Sequence, residues 1–399
     1  MKVLLVSGDF KHGGGMDRAN YELARHLAED VGANVYLVAY HVAEPLASHP
    51  RVVWRRVPKP LKSYSLGASL LAKRGRAEAL WIEQQGGRTI VNGGNCCSPD
   101  INWVHAVHKS WERRLAHAPA HVRLRQWLSR RSALRTEKRA LGVAKMVVAN
   151  SEHTRDKVME LFGLPADRVR TIYLGVDPHV FRPAAPDEKL AARTRLGWAS
   201  GKLTAVFAGA LGYDRNKGFD LLFAAWRHLC SDPAWDVDLV AAGSGAELPY
   251  WQAQSEKAGL GSRIRMMGFV QDVPDLLRAA DVMVQPSFYE AYGLSAHEAL
   301  CCGVPALVTR SSGIAERYPA ALSDLLLDHP PSVENLVDRL RQWRAAYKDW
   351  RAKINSFSSQ LRQHTWADMA REFVELTMPS LIEPAEVAVA PLQLQQILK

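Results

Sequence analysis

The chain has 399 residues, of which 47% are hydrophobic and 23% charged, as in a globular protein long enough to form two domains with separate cores. Five cysteines, an odd number that includes two adjacent pairs, give neither a disulfide framework nor a zinc-ligand spacing, so we expect reduced thiols. The formal net charge of +10 leaves nucleic acid, anionic lipid and anionic small molecules as the classes of partner to consider.

The first apolar run is too short for a signal peptide, and no stretch has the uncharged length of a membrane span, which predicts a cytoplasmic protein. This run is a predicted strand over Lys2–Ser7, followed by a helix over Met16–Asp30 and a strand over Asn34–Ala39. Three glycines, 13–15, stand at the turn into the helix, where the backbone of a βαβ unit can approach a ligand closely. The segment lacks a G-x-G-x-x-G sequence, which argues against a nicotinamide dinucleotide site.

Two histidines follow the next pair of predicted strands. The first of these strands is Thr89–Asn92, and the second begins at Ile101 and runs into a loop that carries His105 and His108. A histidine beside a tryptophan is more often a packed structural residue than a catalytic one. The residues alone therefore favour a structural role for both side chains.

The segment from Lys109 to Lys145 has a helical pattern and is strongly basic, and the stretch from Lys59 to Arg76 adds further cations among leucines. Basic residues interleaved with leucine and tryptophan are typical of an interfacial helix on an anionic membrane. A solvated basic helix with a buried apolar side explains the same pattern equally well. Nucleic-acid binding is not expected, because no RNA- or DNA-binding motif accompanies the charge.

A linker is predicted where the first α/β series ends. After strands over Met146–Ala149 and Val169–Tyr173, glycine and prolines interrupt the pattern between 174 and 183. A second series of alternating strands and helices follows, which favours a parallel sheet with a ligand site at the carboxyl ends of its strands. Its predicted strands are Leu203–Ala208, Val237–Ala242, Ile264–Met267, Asp281–Val284 and Ala306–Val308.

Two carboxylates flank the start of the helix between the last two strands. Glu290 lies in the preceding loop, and Glu298 lies inside the helix, roughly 6 Å further along its axis. The free backbone amides of Tyr292 to Leu294 form an anion site at the helix N-terminus. A nucleoside diphosphate could place its phosphates on these amides, its ribose on Glu298 and the group on its β-phosphate against Glu290. From spacing alone, an ordinary crossover helix with two solvated glutamates is the alternative.

The neighbouring residues favour the ligand site. The stretch Glu290-Ala-Tyr-Gly-Leu-Ser-Ala-His-Glu298-Ala-Leu-Cys-Cys-Gly-Val-Pro305 resembles the E-x7-E signature of retaining glycosyltransferases with the GT-B fold, particularly family 4. The resemblance extends from the glycine loop to about Met378. It implies an α/β GT-B architecture of two Rossmann-like domains facing across a cleft, with a C-terminal helix that crosses back to the first domain. The implied domains are 1–178 with the crossover helix 363–378, then 183–362, with 379–399 as a loose tail; helical patterns at 335–346 and 357–377 precede this tail.

The resemblance also implies the roles of individual residues. His105, Glu290 and Lys217 would be catalytic, with Glu290 near the transferred sugar and Lys217 on the diphosphate. Family members commonly carry a Gly-Arg pair after the first strand of the second domain, whereas this chain has alanine at 210, and Arg215 is the candidate to supply the missing charge. The implied donor-binding residues are Gly14, Gly15, Gly209, Arg215, Lys217, Gly243, Val270, Tyr292, Gly293, Leu294 and Glu298.

The activity implied by the resemblance is transfer of a hexose, with retention of configuration and without a metal, from a UDP- or GDP-linked sugar to a glycan or a lipid-linked acceptor. No cofactor besides the sugar nucleotide is expected, and polysaccharide or glycolipid biosynthesis is the implied process. The acceptor could be met at the inner face of a membrane through residues 109–145. A sugar-nucleotide epimerase is one alternative. A non-catalytic sugar-nucleotide-binding or membrane-scaffold protein is another, because the family's arginine is absent at Ala210.

Overall fold

Two parallel β-sheets form the two domains of the computed structural model, which describes residues 1–199 and 201–381. The first sheet has the spatial order β5-β3-β1-β6-β7-β8-β9, in which the direction of winding reverses beside β1, as in a doubly wound fold. The strands of this sheet are β1 (Lys2–Val6), β3 (Asn34–Ala39), β5 (Val52–Arg56), β6 (Arg88–Asn92), β7 (Ile101–Val104), β8 (Met146–Ala149) and β9 (Val169–Thr171). Two short strands, β2 (Asp9–Phe10) and β4 (His41–Val42), form a separate pair.

Helices cover both faces of this first sheet, because successive side chains of a buried parallel strand point to opposite sides and both sides are apolar. Leu5 of β1 belongs to the same core cluster as Leu23, whereas Leu4 of β1 belongs to a different cluster with Leu71. The helices of this domain are α1 (Gly15–Glu29), α2 (Tyr64–Gln84), α3 (Ala120–Val143) and α4 (Glu152–Phe162), so Leu23 lies on α1 and Leu71 on α2.

The second domain repeats the plan with a six-stranded parallel sheet in the order β12-β11-β10-β13-β14-β15. Its strands are β10 (Leu203–Ala208), β11 (Val237–Ala242), β12 (Ile264–Gly268), β13 (Val282–Gln285), β14 (Ala306–Thr309) and β15 (Leu326–Leu327). Its helices are α5 (Pro186–Arg195), α6 (Phe219–Leu229), α7 (Leu248–Lys257), α8 (Val273–Ala279), α9 (Leu294–Cys301), α10 (Val333–Ala345) and α11 (Tyr347–Arg362). The α/β fold of two Rossmann-like domains is therefore confirmed. Within the described residues, no helix combines the length and the hydropathy needed to cross a bilayer.

The last helix, α12 (Trp366–Thr377), returns to the first domain. Phe373 of α12 packs on Trp103 of β7, with ring centroids 4.8 Å apart, and the main-chain oxygen of Thr377 accepts a hydrogen bond from Arg88 at 3.2 Å. The prediction of one continuous helix over 357–377 is wrong. Thr365 and Asp368 form a capping box that starts α12 after a break, so the crossover helix predicted at 363–378 begins at Trp366. Of the predicted tail 379–399, residues 382–399 lie outside the described part of the chain.

The prediction of a helical segment from Lys109 to Lys145 is only partly correct. The helix begins at Ala120, directly after Pro119, and the segment before it has no regular structure. A proline disfavours helical backbone in the residue before it, which explains the late start. The irregular segment instead reaches the second domain, where the Arg114 guanidinium pairs with Asp220 at 2.9 Å and lies 3.9 Å from the ring centre of Phe288.

Candidate active site

A cavity of about 360 Å³ lies between the two domains, at the carboxyl ends of both sheets. It receives side chains and backbone from both halves of the chain. Nine of the residues predicted from the sequence line it: Gly14, Gly15, His105, Lys217, Glu290, Tyr292, Gly293, Leu294 and Glu298. The fold therefore brings together residues separated by more than 280 positions in the sequence.

Two helix N-termini meet in this cavity. Helix α1 starts after Gly14 and α9 starts after Gly293, and neither helix has a side-chain cap. A Cβ atom added to Gly15 would lie 3.8 Å from Leu294, so the two first turns face each other at close range. The first amides of a helix have no intrahelical partner and carry the positive end of the helix dipole. The cavity consequently offers an anion two sets of backbone N–H donors from opposite sides.

Glu298 lies on α9, at the cavity wall. Burial raises the pKa of the Glu298 carboxyl to about 8, and the positive charge of Arg18 acts in the opposite direction. The raised pKa favours the protonated form of the carboxyl in the unliganded protein. A protonated carboxyl can donate one hydrogen bond and accept others, and a carboxylate can accept from both of two vicinal hydroxyls.

Glu290 and Lys217 form a direct ion pair between Oε2 and Nζ inside the cavity. Glu290 follows β13, and its main-chain oxygen accepts a hydrogen bond from the amide of Gly313 at 3.1 Å. Lys217 lies in the loop between β10 and α6. Because Lys217 is the cation of the pair and remains partly exposed, an incoming anion can compete with Glu290 for it.

Asn216 holds the lysine loop against the glutamate loop. Its side-chain nitrogen donates to the main-chain oxygen of Tyr289 at 2.9 Å, and its side-chain oxygen accepts from the amide of Tyr289 at 3.1 Å. The Asn216 main-chain oxygen also accepts from the amide of Phe288 at 2.8 Å. From the other domain, the amide of Val107 donates to the Tyr289 hydroxyl at 2.6 Å. These contacts fix where Lys217 and Glu290 enter the cavity.

His105 faces the cavity from the first domain. Both ring nitrogens are buried without a hydrogen-bond partner, and the ring lies 4.4 Å from that of Trp103. Burial lowers the pKa of His105 to about 3, so the imidazole is neutral. A neutral ring with two unpartnered nitrogens at a cavity wall is available to a ligand hydroxyl. His108 has a different environment, since its ring nitrogen Nδ1 lies 3.0 Å from the buried carboxylate of Glu137.

Four predicted donor-binding residues do not line the cavity. Gly209 and Gly243 pack against each other, and a Cβ atom on Gly243 would lie 1.8 Å from the Gly209 oxygen. Val270 follows β12 and is partly buried against the core. Arg215 is bound to Glu247, with Nη2 and Oε1 2.9 Å apart. The hypothesis that Arg215 replaces the arginine missing at Ala210 therefore requires that this ion pair be broken.

Five lining residues were not predicted from the sequence: Met16, Asn150, Leu174, Ala291 and Ser295. Asn150 follows β8 directly, and its side-chain nitrogen donates to the main-chain oxygen of His105 at 3.3 Å. Its position at the carboxyl end of a parallel strand could have identified Asn150 from the sequence, because ligand sites of parallel sheets lie at these ends.

An Asp-x-Asp sequence at Asp236 and Asp238 could suggest a metal site by its spacing. The structure places the pair at the amino end of β11, on the side of the sheet away from the cavity. Asp236 pairs with Arg344 at 2.6 Å and Asp238 with Arg263 at 2.8 Å. Both carboxylates therefore have arginine partners and lie outside the candidate site.

Comparison with known families divides the chain as the fold does. Residues 13–180 match the family described as Glycosyltransferase Family 4, and residues 188–356 match Glycosyl transferases group 1. The chain is 34% identical, over 46% of its length and 48% of the relative, to a GDP-mannose-dependent alpha-(1-6)-phosphatidylinositol dimannoside mannosyltransferase of Mycobacterium tuberculosis. The chain spans about half the length of the curated relatives it matches, with 59%, 48% and 42% of three of them covered.

Solved structures share the fold at low sequence identity. WaaG, a glycosyltransferase involved in lipopolysaccharide biosynthesis, superposes on 95% of this chain and 100% of its own, with a TM-score of 0.75 and 16% identity. HepE of Anabaena, solved in complex with UDP and glucose, superposes on 94% of this chain and 99% of its own, with a TM-score of 0.66 and 18% identity.

Proposed function

Because the chain belongs to the family 4 glycosyltransferases with the GT-B fold, we propose that it transfers a hexose from a nucleoside-diphosphate sugar to an acceptor with retention of anomeric configuration. The observation that carries this proposal is the meeting of two helix N-termini with Lys217, Glu290 and Glu298 in one cavity. A diphosphate between two hydroxyl-bearing groups has the charge distribution that this arrangement complements.

In this proposal the donor diphosphate lies between the first turns of α1 and α9. Backbone amides from both helices bind its oxygens, and Lys217 leaves Glu290 to pair with the phosphate. Glu298 binds the ribose hydroxyls, and Glu290 is left to accept hydrogen bonds from the hydroxyls of the transferred sugar. The ion pair of the unliganded protein thus keeps both side chains in position until the donor arrives.

The same groups can assist departure of the diphosphate. As the bond between the anomeric carbon and the phosphate oxygen lengthens, negative charge grows on the diphosphate, and Lys217 and the amides stabilise it without a metal ion. The acceptor hydroxyl attacks from the face that the leaving group vacates, and its proton passes to the departing phosphate oxygen. Glu290 stabilises the developing positive charge on the sugar and is not required as a nucleophile.

The donor base is proposed to be uracil or guanine, and the acceptor a glycan or a lipid-linked molecule bound by the first domain. The mycobacterial relative named for GDP-mannose supports the guanine donor, and the neighbour that holds UDP supports the uracil donor. The basic segment 109–145 supports an acceptor at the inner face of a membrane.

A panel of UDP-, GDP- and ADP-sugars tests the proposal. We expect sugars linked to one of the three bases to raise the melting temperature of the protein. The protein should release nucleoside diphosphate from the same donors without added metal. A ligand at 100 times its dissociation constant adds about 2.7 kcal/mol to the free energy of unfolding, which makes the correct donor easy to recognise. NMR of the product should show the donor's anomeric configuration.

Each alternative predicts a different result. An epimerase would convert the donor sugar without transfer to an acceptor, and a non-catalytic binding protein would give the thermal shift without release of diphosphate. Glu298→Ala should abolish the thermal shift, because it removes the hydrogen bonds to the ribose, whereas Glu334→Ala, on the exposed first turn of α10, should leave it unchanged. An equal thermal shift for wild type and Glu298→Ala would contradict the proposed site.

A further inference from the structure

Helix α3 exposes large apolar side chains. Leu124, Trp127 and Leu128 are 60%, 53% and 56% exposed, and their spacing places them on one side of the helix. Val122, Ala140 and Leu141 are buried on other sides of the helix, and Leu141 packs with Val104 and Val147 of the sheet. The three exposed apolar side chains therefore lie outside the face that packs on the domain, and packing of the domain does not explain them.

The outer surface of α3 carries positive charge only. Six exposed cations form this surface, namely Arg123, Arg125, Arg131, Arg135, Lys138 and Arg139, whereas Arg130 is half-buried. The one acidic residue of α3, Glu137, is buried and bound to His108. Arg131 lies over the exposed ring of Trp127, 4.7 Å from its centre. Apolar and cationic side chains thus alternate on a surface that has no exposed carboxylate.

Helix α2 has a second outward apolar row. Leu66, Leu70 and Leu80 are 52%, 39% and 57% exposed, and Lys73 lies between them. The opposite side of α2, formed by Leu71 and Ile82, packs on the sheet. The sequence left open that these segments are solvated basic helices whose apolar residues are all buried. Neither α2 nor α3 fits that alternative, because both expose apolar side chains.

The two helices lie on the same face of the first sheet. Leu4 and Val91 pack with α2, and Val104 and Val147 pack with α3, and the strand register places these residues on one side. Both helices run from the carboxyl edge of the sheet, where the cavity lies, back to the amino edge. The N-terminal halves of α2 and α3, which carry Leu66, Leu70, Leu124, Trp127 and Leu128, are consequently on the cavity side.

Helix α3 also extends past the edge of the sheet. Gly94 follows β6 at the carboxyl edge, and a Cβ atom on it would lie 3.0 Å from the amide nitrogen of Glu137. The helix residues that precede Glu137 would continue for about 25 Å at 1.5 Å per residue. The apolar and basic surface of α3 therefore projects beside the mouth of the cavity.

We propose that the outward faces of α2 and α3 form one docking surface for an anionic lipid bilayer. Leucine and tryptophan insert at the level of the headgroups, and the arginines and lysines pair with lipid phosphates. This orientation presents the cavity to an acceptor held in the membrane, an inference that rests on the proposed transferase activity. The acceptor is then lipid-linked, and it reaches the reacting atoms without leaving the bilayer.

The charge of this surface favours lipid over a second copy of the chain. A symmetric dimer would bring the same surface of both copies together, so that the cations of each α3 would face those of the other. Like charges across an interface destabilise it, whereas an anionic leaflet complements them.

Flotation of the full chain with vesicles tests the surface. We expect binding at low salt to vesicles of phosphatidylcholine and phosphatidylglycerol in equal amounts, and little binding to phosphatidylcholine alone. Binding should weaken in high salt, because the Debye length falls from about 10 Å at 0.1 M to about 3 Å at 1 M.

Two variants separate the contributions to vesicle binding. Arg131→Glu with Arg135→Glu should weaken binding by at least about 25-fold, since one cation near an anionic leaflet contributes roughly fivefold. Trp127→Ser with Leu128→Ser should reduce binding even at low salt. Matched controls on the second domain are Arg227→Glu on α6 and Leu190→Ser on α5, where Leu190 is 53% exposed, and neither should change binding.

Absence of wild-type flotation at low salt, or equal losses in the control variants, would overturn the proposal. A dimer that Trp127→Ser with Leu128→Ser converts to a monomer, without vesicle binding by the wild type, would assign the surface to a second copy instead. Release of diphosphate from a soluble donor should be unchanged in all four variants. If that activity is missing from the wild type while vesicle binding is present, the proposed function fails and the docking surface stands.

Discussion

The guanidinium of Arg215 is bound to the carboxylate of Glu247 by hydrogen bonds from Nη2 to Oε1 and from Nε to Oε2, both 2.9 Å long. Their side chains are 9% and 5% exposed, and the ring of Trp251 lies 5.0 Å from the guanidinium. Arg215 has a positive φ of 46°, a conformation that non-glycine residues rarely adopt. The ion pair thus holds a strained residue two positions before Lys217, and Arg215 acts on the cavity through the loop.

Arg215→Ala should lower the free energy of unfolding by about 3–5 kcal/mol, because it leaves the Glu247 carboxylate buried without its partner. The double variant Arg215→Met with Glu247→Leu should regain much of that stability and keep a donor KM near that of the wild type. Thermal melting and donor kinetics measure both quantities. A stable double variant whose donor KM is raised tenfold or more would show instead that Arg215 contacts the diphosphate.

Glu298→Gln should change the dependence of stability on pH. The pKa of Glu298 is raised in the folded protein from 4.5 to about 8, so the folded state binds more protons than the unfolded state between these values. The free energy of unfolding contributed by this group must fall as pH rises through that range. Glutamine cannot ionise, so the variant should be more stable than the wild type at pH 9 and similar to it at pH 4. Parallel melting curves across the range would refute the raised pKa.

Lys217→Ala should reduce kcat/KM for the donor by about 10²–10³-fold, the usual cost of losing one preorganised group that stabilises transition-state charge. Glu290→Gln should lower kcat while the donor KM stays the same or falls, because Lys217 no longer has to leave a carboxylate. Lys257→Ala, at the exposed end of α7, is the control and should behave as the wild type. A raised KM with unchanged kcat in Glu290→Gln would place Glu290 in donor binding alone.

Gly293→Ala should disturb both folding and donor binding. Gly293 has a φ of 102°, and a Cβ atom there would lie 3.0 Å from Ile314, so alanine should cost about 1–3 kcal/mol of backbone strain and displace the first turn of α9. Gly142→Ala is the control, since that glycine lies in α3 with no atom near its added Cβ and has no positive φ. A Gly293→Ala protein with normal melting temperature and donor affinity would exclude the α9 amides from the phosphate site.

Residues near strand ends and helix starts could be predicted from the sequence because local rules determine them. A glycine before a helix and a glutamate one turn inside it, as at Gly293 and Glu298, are visible in the sequence alone. The break before Trp366 was missed because the capping pair Thr365 and Asp368 lies within a continuous apolar period. The apolar period predicted one continuous helix, whereas a capping pair is needed only if the chain breaks before Trp366.

Partners that are distant in the sequence could not be predicted. The approach of Glu247 to Arg215 depends on how β11 and its following loop are placed beside β10, and a charged loop residue gives no sign of its partner. The exposure of Leu66 and Leu124 was also undetermined, because a periodic pattern does not say which of two apolar rows meets the sheet. Tertiary packing makes both choices.

The carboxylate of Glu316, in the second domain, accepts hydrogen bonds from the amides of Glu152 and His153, at 2.7 and 2.9 Å, and so caps the first turn of α4 in the other domain. Separation of the domains must remove this cap and return both amides to water. Hydrogen–deuterium exchange at these two amides is therefore a built-in measure of how often the cavity opens. A donor that holds the domains together should slow exchange at both positions while amides in the middle of α4 keep their rate.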